Sequence, residues 1–422
     1  MTTRAFPVPA AIKGFRGRAL AVLALALLAQ PGTAAGQGVP RYVEARATGA
    51  VVVTLTVPVG SLSGSNVSSG TASLLAEALV AEANRRLAGR TARVEASVGR
   101  VSTRFQLVSS PTGWDAAWEL ASAAIFSSPP AARFEEVRSR AVAAAAFSDG
   151  SPVEEFEAEL TALLTGRAAR QARAGDPASV SFADVDALHR SGYRSSRALT
   201  VVTGPGWALP SAGLEAPGRA EASGTVDSAA VAEMGANTGI AAVGAPWATG
   251  RRSDLRRNVT ASWIGLAYPV QSDVPRTELE FAADLVRAEL MPDPPRPSTY
   301  GVDVAIAEVP DGTVVLVRAA FHPDRAARWI DDALATVREL RGSPPDGTLF
   351  LLARRAFRAR SLLADANGSD AGLRISGDLL REGRVRRLGS EISAVTPESL
   401  ARAFDGLGEP RVLVFGPSLG GW

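Results

Sequence analysis

The sequence predicts an α+β fold of two tandem homologous domains, each an antiparallel-rich sheet with helices packed on one face. Three observations predict it. Passages recur in the same order: Val57-Pro58-Val59-Gly60-Ser61 follows the apolar run Val51 to Thr56, and Tyr268-Pro269-Val270-Gln271-Ser272 follows Trp263 to Ala267, 211 positions later. Val180-Ser181-Phe182-Ala183-Asp184 and Val395-Thr396-Pro397-Glu398-Ser399 open helix-like segments 215 positions apart, and these lead to Gly204-Pro205 and Gly416-Pro417, 212 apart. Anchors at nearly one spacing mark a duplication. The chain of 422 residues also exceeds what one core supports, while two domains of about 200 residues are ordinary. Finally, each half groups short apolar alternations with longer stretches of helical period.

In chain order, residues 1–35 read as a secretory signal. Arg4, Lys13, Arg16 and Arg18 precede an apolar run from Ala19 to Ala29, and Thr33-Ala34-Ala35 offers a small-residue cleavage site. The run is shorter than the roughly 20 apolar residues of a membrane span. The first domain, 36–204, opens with a strand over 50–57 and a helix over 71–88. Alternating runs then predict strands at 92–98 and 101–108, followed by helices at 113–126, 131–147, 152–165 and 182–191 and a closing strand at 198–203. Residues 205–250, rich in Gly, Ala, Ser and Pro, read as a linker. The second domain, 251–422, repeats the order: strand 260–268, helix 276–290, strands 300–308 and 312–320, helices 324–340, 347–363, 369–382 and 397–405, strand 411–415.

Without its leader the chain carries a formal charge of about −2, since the leader holds four basic residues and no acidic one. Lys13 is the sole lysine. No basic patch with interleaved aromatics points to nucleic acid. The chain has no cysteine, which excludes disulfides, thiolate nucleophiles and Cys-ligated metal. Export without disulfides fits a periplasmic or secreted protein with a large core.

The chain resembles the pitrilysin or insulinase-like zinc peptidases, the M16 family, in their short two-domain form. The residues that carry the resemblance run through nearly the whole chain: the strand ending in Gly60-Ser61, the helix start Gly70-Thr71-Ala72-Ser73-Leu74-Leu75-Ala76-Glu77, Ser148-Asp149-Gly150-Ser151-Pro152 after a helix, Tyr193 before Leu199 to Gly204, and the duplicated second half. The resemblance implies a clamshell of four such domains from two chains, enclosing a chamber where unstructured peptides are cut. Where active members carry His-x-x-Glu-His, this chain has Ser73, Ala76 and Glu77. The third ligand of the family corresponds to Ala143 or Ala144. A catalytic zinc needs three protein ligands and an open position, so the expectation is no metal, no cofactor and no catalytic residue of its own. An Arg and a Tyr four residues on, which in the family reach toward the partner's zinc, correspond to Arg296 and Tyr300. They either line a shared chamber or simply precede and begin a strand.

Other chemistries find few residues. The only histidines are His189 and His322, one late in a predicted helix and one before Pro323. Gly416-Pro417-Ser418-Leu419-Gly420 matches a nucleophile-elbow pattern, but that elbow must lead into a helix and two residues remain. Asn66, Asn258 and Asn367 begin glycosylation sequons that matter only in a eukaryotic secretory route. Two functions follow as expectations: a non-catalytic subunit that completes the chamber of a motif-bearing peptidase chain as a heterodimer, or a stand-alone peptide-binding or structural module.

Overall fold

The computed structural model describes residues 41–417 apart from 47, 62, 64–68, 149–150, 166–176, 210–251, 272, 292–298, 310–311 and 344. The expected leader, most of the expected linker and Arg296 lie outside the described residues. Strands β1 (Arg41–Ala45), β2 (Val51–Val57), β3 (Ala92–Val98), β4 (Thr103–Ser109) and β5 (Leu199–Gly204) form one sheet in the order β1-β5-β2-β4-β3. Strands β6 (Arg252–Arg256), β7 (Ser262–Val270), β8 (Thr299–Val309), β9 (Gly312–Phe321) and β10 (Arg411–Gly416) form a second, in the order β6-β10-β7-β9-β8. The two orders are the same, place for place. In both sheets the outer strand runs parallel to the closing strand and the other pairs are antiparallel. The duplication seen in sequence is therefore a duplication of topology.

Two of these strands carry no clear sequence signal. β1 (RYVEA) and β6 (RSDLR) are five residues each and rich in charge. Main-chain pairing holds them, Tyr42 in register with Val201 and Ser253 with Leu413. Backbone hydrogen bonding is indifferent to side chain, which is why a polar edge strand escapes a reading based on alternation.

The first half adds helices α1 (Ser69–Arg86), α2 (Trp114–Ile125), α3 (Ala131–Ser148), α4 (Pro152–Thr165) and α5 (Phe182–Gly192). The second adds α6 (Arg276–Leu290), α7 (Pro323–Gly342), α8 (Gly347–Ala366), α9 (Gly368–Glu382), α10 (Leu388–Ala394) and α11 (Pro397–Asp405). Local chemistry sets several boundaries. Ser181 and Asp184 form a capping box at α5, Thr396 and Ser399 form one at α11, and Gly383 at φ 66° ends α9. The two capping boxes are the second repeat anchor of the sequence. Helix α10, seven residues long, was not among the expected elements.

Each sheet packs its own helices on one face. Val51, Val53, Leu55 and Val57 meet Leu75 and Leu79 of α1 in the first core, and Ile264, Leu266 and Tyr268 join Phe281 and Phe404 in the second. The opposite faces are also covered, and by the other half. Helix α4 buries Phe156, Leu160 and Leu164 against Ala267, Leu316, Leu413 and Phe415 of the second sheet. Helix α9 buries Ala371, Ile375 and Leu379 against Leu199 and Val201 of the first. Ion pairs rim this exchange, Arg257 with Glu155 and Arg318 with Glu157 at 3.1 Å. This reciprocal loan explains why every residue of β2 is buried, including Thr54 and Thr56 on its far face.

Candidate functional site

Helix α1 follows β2 and lies over the first sheet because Ala72, Leu75, Ala76, Leu79 and Ala83 form one buried face. Ser73 is half-buried and Glu77 is exposed on the opposite side, one turn apart. Ala76 belongs to the core face and is 2% exposed. Further along, Asn84 ties the helix to β3, its amide donating to the Val94 carbonyl and accepting from the Val94 N–H, both at 2.9 Å.

Helix α3 packs against α1, so the fold brings together the two helices on which the expected ligand positions lie. Ala143 and Ala144 are exposed on α3, one turn beyond Arg140. Partial burial raises the Glu77 carboxyl above the ordinary carboxylate range, and the Arg140 charge opposes that rise. Nearby on α1, Glu82 is buried and anchored otherwise. Arg85 grips it through two hydrogen bonds at 2.8 and 2.7 Å, Arg86 adds one at 2.8 Å, and the carboxyl is held down at about 2. It is committed to its own helix.

The zinc that the resemblance implies for active members does not fit this residue set. Ser73 offers a neutral hydroxyl, Ala76, Ala143 and Ala144 offer a methyl each, and a cation acts on the one carboxylate, Glu77. One weak monodentate donor falls short of the three-ligand minimum. Among the described residues no group of three His, Cys, Asp or Glu could hold a metal ion.

His189 is buried, its Nε2–H donates to the Ile125 carbonyl at 3.0 Å, and its ring stacks on Tyr193 with centroids 5.2 Å apart. His322 sits at the start of α7 with Nδ1 3.3 Å from the Asp324 carboxylate. Tyr300 lies at the start of β8, at the irregularity in its pairing with β9 between Thr299 and Gly301. Arg296 lies outside the described residues.

A feature that sequence reading missed lies in the second half. A cleft of about 730 Å³ is lined by Arg276, Thr277, Arg381, Arg384, Arg386 and Glu391, among others. At its back Arg386 is buried and bonded to Asp378 at 2.7 Å and to Glu280 at 2.9 and 3.0 Å. Arg374 also binds Asp378, at 2.9 Å, and Arg276 binds Glu280 and Glu308. Burial works against ionising Glu280, yet Arg386 and Arg276 bring its carboxyl below the ordinary range. The charges largely answer one another, so the cleft is a braced network rather than an anion receptor. The run Arg381 to Arg387 was visible in the sequence, but its carboxylate partner on α6, Glu280, lies 106 positions from Arg386.

No protein-family model and no curated protein matches the sequence. Solved structures do match. An M16 peptidase inactive domain from Pseudomonas fluorescens aligns over 91% of this chain and 96% of its own length, with 14% identity and a TM-score of 0.68. The chain has the M16 peptidase fold. A protease from Helicobacter pylori aligns over 89% and 96% of the two chains, at 14% identity and a TM-score of 0.69. The periplasmic protease PqqL from Escherichia coli aligns over 89% of this chain and 44% of its own, at 14% identity and a TM-score of 0.62. The M16 fold thus extends over both halves and both sheets. Among the described residues no helix is long and apolar enough to cross a membrane.

Proposed function

We propose that this chain is an exported, non-catalytic M16-like subunit that completes the substrate chamber of a motif-bearing zinc metallopeptidase as a heterodimer. The observation that carries the reading is a retained frame with lost donors. Helices α1 and α3 still pack against each other, yet the ligand positions hold Ser73, Ala76, Glu77, Ala143 and Ala144. Such a frame can form a wall and bind an extended peptide, while the nucleophile and Lewis acid come from the other chain. Two similar domains, 36–204 and 251–422, joined through 205–250, supply half of such a chamber. The similarity to an inactive M16 domain and to a periplasmic protease supports both the lost activity and the location.

Reconstitution tests it. The isolated mature chain is expected to take up no stoichiometric zinc and to cleave no unstructured peptide, whereas mixing with a His-x-x-Glu-His homologue encoded beside its gene gives a stable complex and chelator-sensitive cleavage. In that complex Tyr300→Phe is expected to lower turnover by about 10²-fold to 10³-fold, the loss of one oxyanion donor, with assembly unchanged. Zinc-dependent proteolysis by the isolated chain defeats the proposal. Failure to form any such complex leaves a stand-alone binding module.

A further inference from the structure

Ten large apolar side chains stand exposed among the described residues, and five of them are leucines of α8, with Leu349 68%, Leu352 55% and Leu363 73% exposed. A single helix holding half of the exposed apolar bulk is not the scatter expected of a surface. The spacing is ordered. Leu349, Leu352, Ala356, Ala359, Leu363 and Ala366 follow one another in steps of three and four, on the side of the helix away from buried Phe350 and Phe357. That is the period of a helix–helix seam. The two alanines at its middle let a second helix approach closely, with leucines packing at either end.

Charge selects the occupant. Arg355 is exposed beside the seam and Arg358 is exposed one turn on, farther round the helix with its guanidinium toward Gly389 of α10, and neither forms an ion pair with a described carboxylate. On the other flank of the seam Arg360 is held by Asp284. The only acid within α8, Asp365, is buried and bound by Arg46 at 2.8 Å and Arg374 at 2.7 Å. A second copy of this chain would bring arginines to the seam from both sides with no exposed acid on either helix.

We propose that the exposed face of α8 docks an amphipathic helix of a different chain, one with its own Leu/Ala seam and with carboxylates along its flanks. The inference does not depend on whether that chain is a peptidase.

The test uses the full mature protein and two synthetic three-heptad peptides with the same Leu/Ala stripe, one flanked by Glu and the other by Lys at every flank position. Fluorescence anisotropy is expected to show binding of the Glu peptide that weakens at least tenfold between low and high salt. The Lys peptide is expected to bind at least tenfold more weakly. Leu352→Gln with Leu363→Gln should abolish binding, and both sites are solvent-facing, so an unchanged thermal midpoint is the control for folding. Arg355→Glu with Arg358→Glu should reverse the preference toward the Lys peptide. Equal binding of the two peptides, or binding of neither, overturns the proposal. So does a self-dimer in sedimentation that the leucine variants dissolve, since the occupant is then a second copy.

Discussion

Gly372 of α9 lies so close to Thr54 of β2 that a Cβ built on the glycine would collide with the threonine Oγ1 and stand 3.3 Å from its Cβ. In the other half the relationship is inverted. A Cβ on Gly265 of β7 would meet Leu160 of α4 at 2.8 Å. Thr54 and Gly265 are 211 positions apart, and Leu160 and Gly372 are 212 apart. The same helix-on-strand crossing is thus solved twice, once with the small residue on the helix and once with it on the strand.

Gly372→Ala is expected to destabilise the protein by about 1–3 kcal/mol through overpacking, measured by denaturant unfolding. Thr54→Gly alone also destabilises, because it removes a buried side chain and loosens a central strand. Combined, the two changes recreate the Gly265 arrangement. The double variant is expected to lose less than the sum of the single losses, by at least about 0.5 kcal/mol. Strict additivity would show that the two residues do not share this contact.

Asp378 and Arg386 form a fully buried pair, and Arg386 makes two further bonds to Glu280. Asp378→Ala removes the carboxylate that Arg386 and Arg374 share, leaving guanidinium charge under-compensated in the interior. The expected loss is about 3–5 kcal/mol, read as a lower denaturation midpoint at neutral pH. A change below about 1 kcal/mol would mean that Glu280 alone satisfies Arg386.

Much of this fold was legible in the sequence, because period and punctuation act locally. Helices α4 and α6 run over the expected residues, and β3 matches residue for residue. Edge strands β1 and β6 were not legible, since their stability comes from main-chain pairing with strands far along the chain. The exchange of α4 and α9 was hidden for a related reason. An amphipathic helix shows that it buries a face, but not which sheet receives it. At the candidate site the residue types at the expected positions, Ser73, Ala76 and Glu77, were readable directly. The core-facing position of Ala76 and the influence of Arg140 on Glu77 needed the packing of α1 against α3.

Acid is expected to weaken the α1 anchor at Glu82. Its carboxyl is depressed from an ordinary 4.5 to about 2 by the Arg85 hydrogen bonds first and by Arg86 as well, against the opposing effect of burial. A depressed carboxyl stabilises the fold fully above its unfolded value and loses that contribution as pH falls through the folded one. The stability gap between the native protein and Glu82→Gln is therefore expected to be constant near neutrality and to shrink between pH 4.5 and about 2. Chemical denaturation of both proteins across that range measures it. A gap that does not change with pH would place the stabilisation elsewhere.

Restoring the peptidase motif by Ser73→His, Ala76→Glu and Glu77→His is expected to give a weak zinc site with little turnover. The two imidazoles would stand one turn apart on the outer side of α1, as a metal requires. The third side chain is the obstacle. Ala76 is 2% exposed, so a carboxylate there enters the core beside Leu75 and Leu79 without a partner, and that burial costs about 2–5 kcal/mol. Zinc would also lack its distal ligand, since Ala143 and Ala144 offer only methyl groups. The triple variant should unfold more readily than the native chain and show zinc affinity that competes poorly with a mild chelator. Adding Ala144→Glu should improve zinc retention, because α3 packs on α1, without relieving the strain at position 76. Efficient chelator-sensitive cleavage by the triple variant alone would show that a carboxylate other than one at 143 or 144 completes the site.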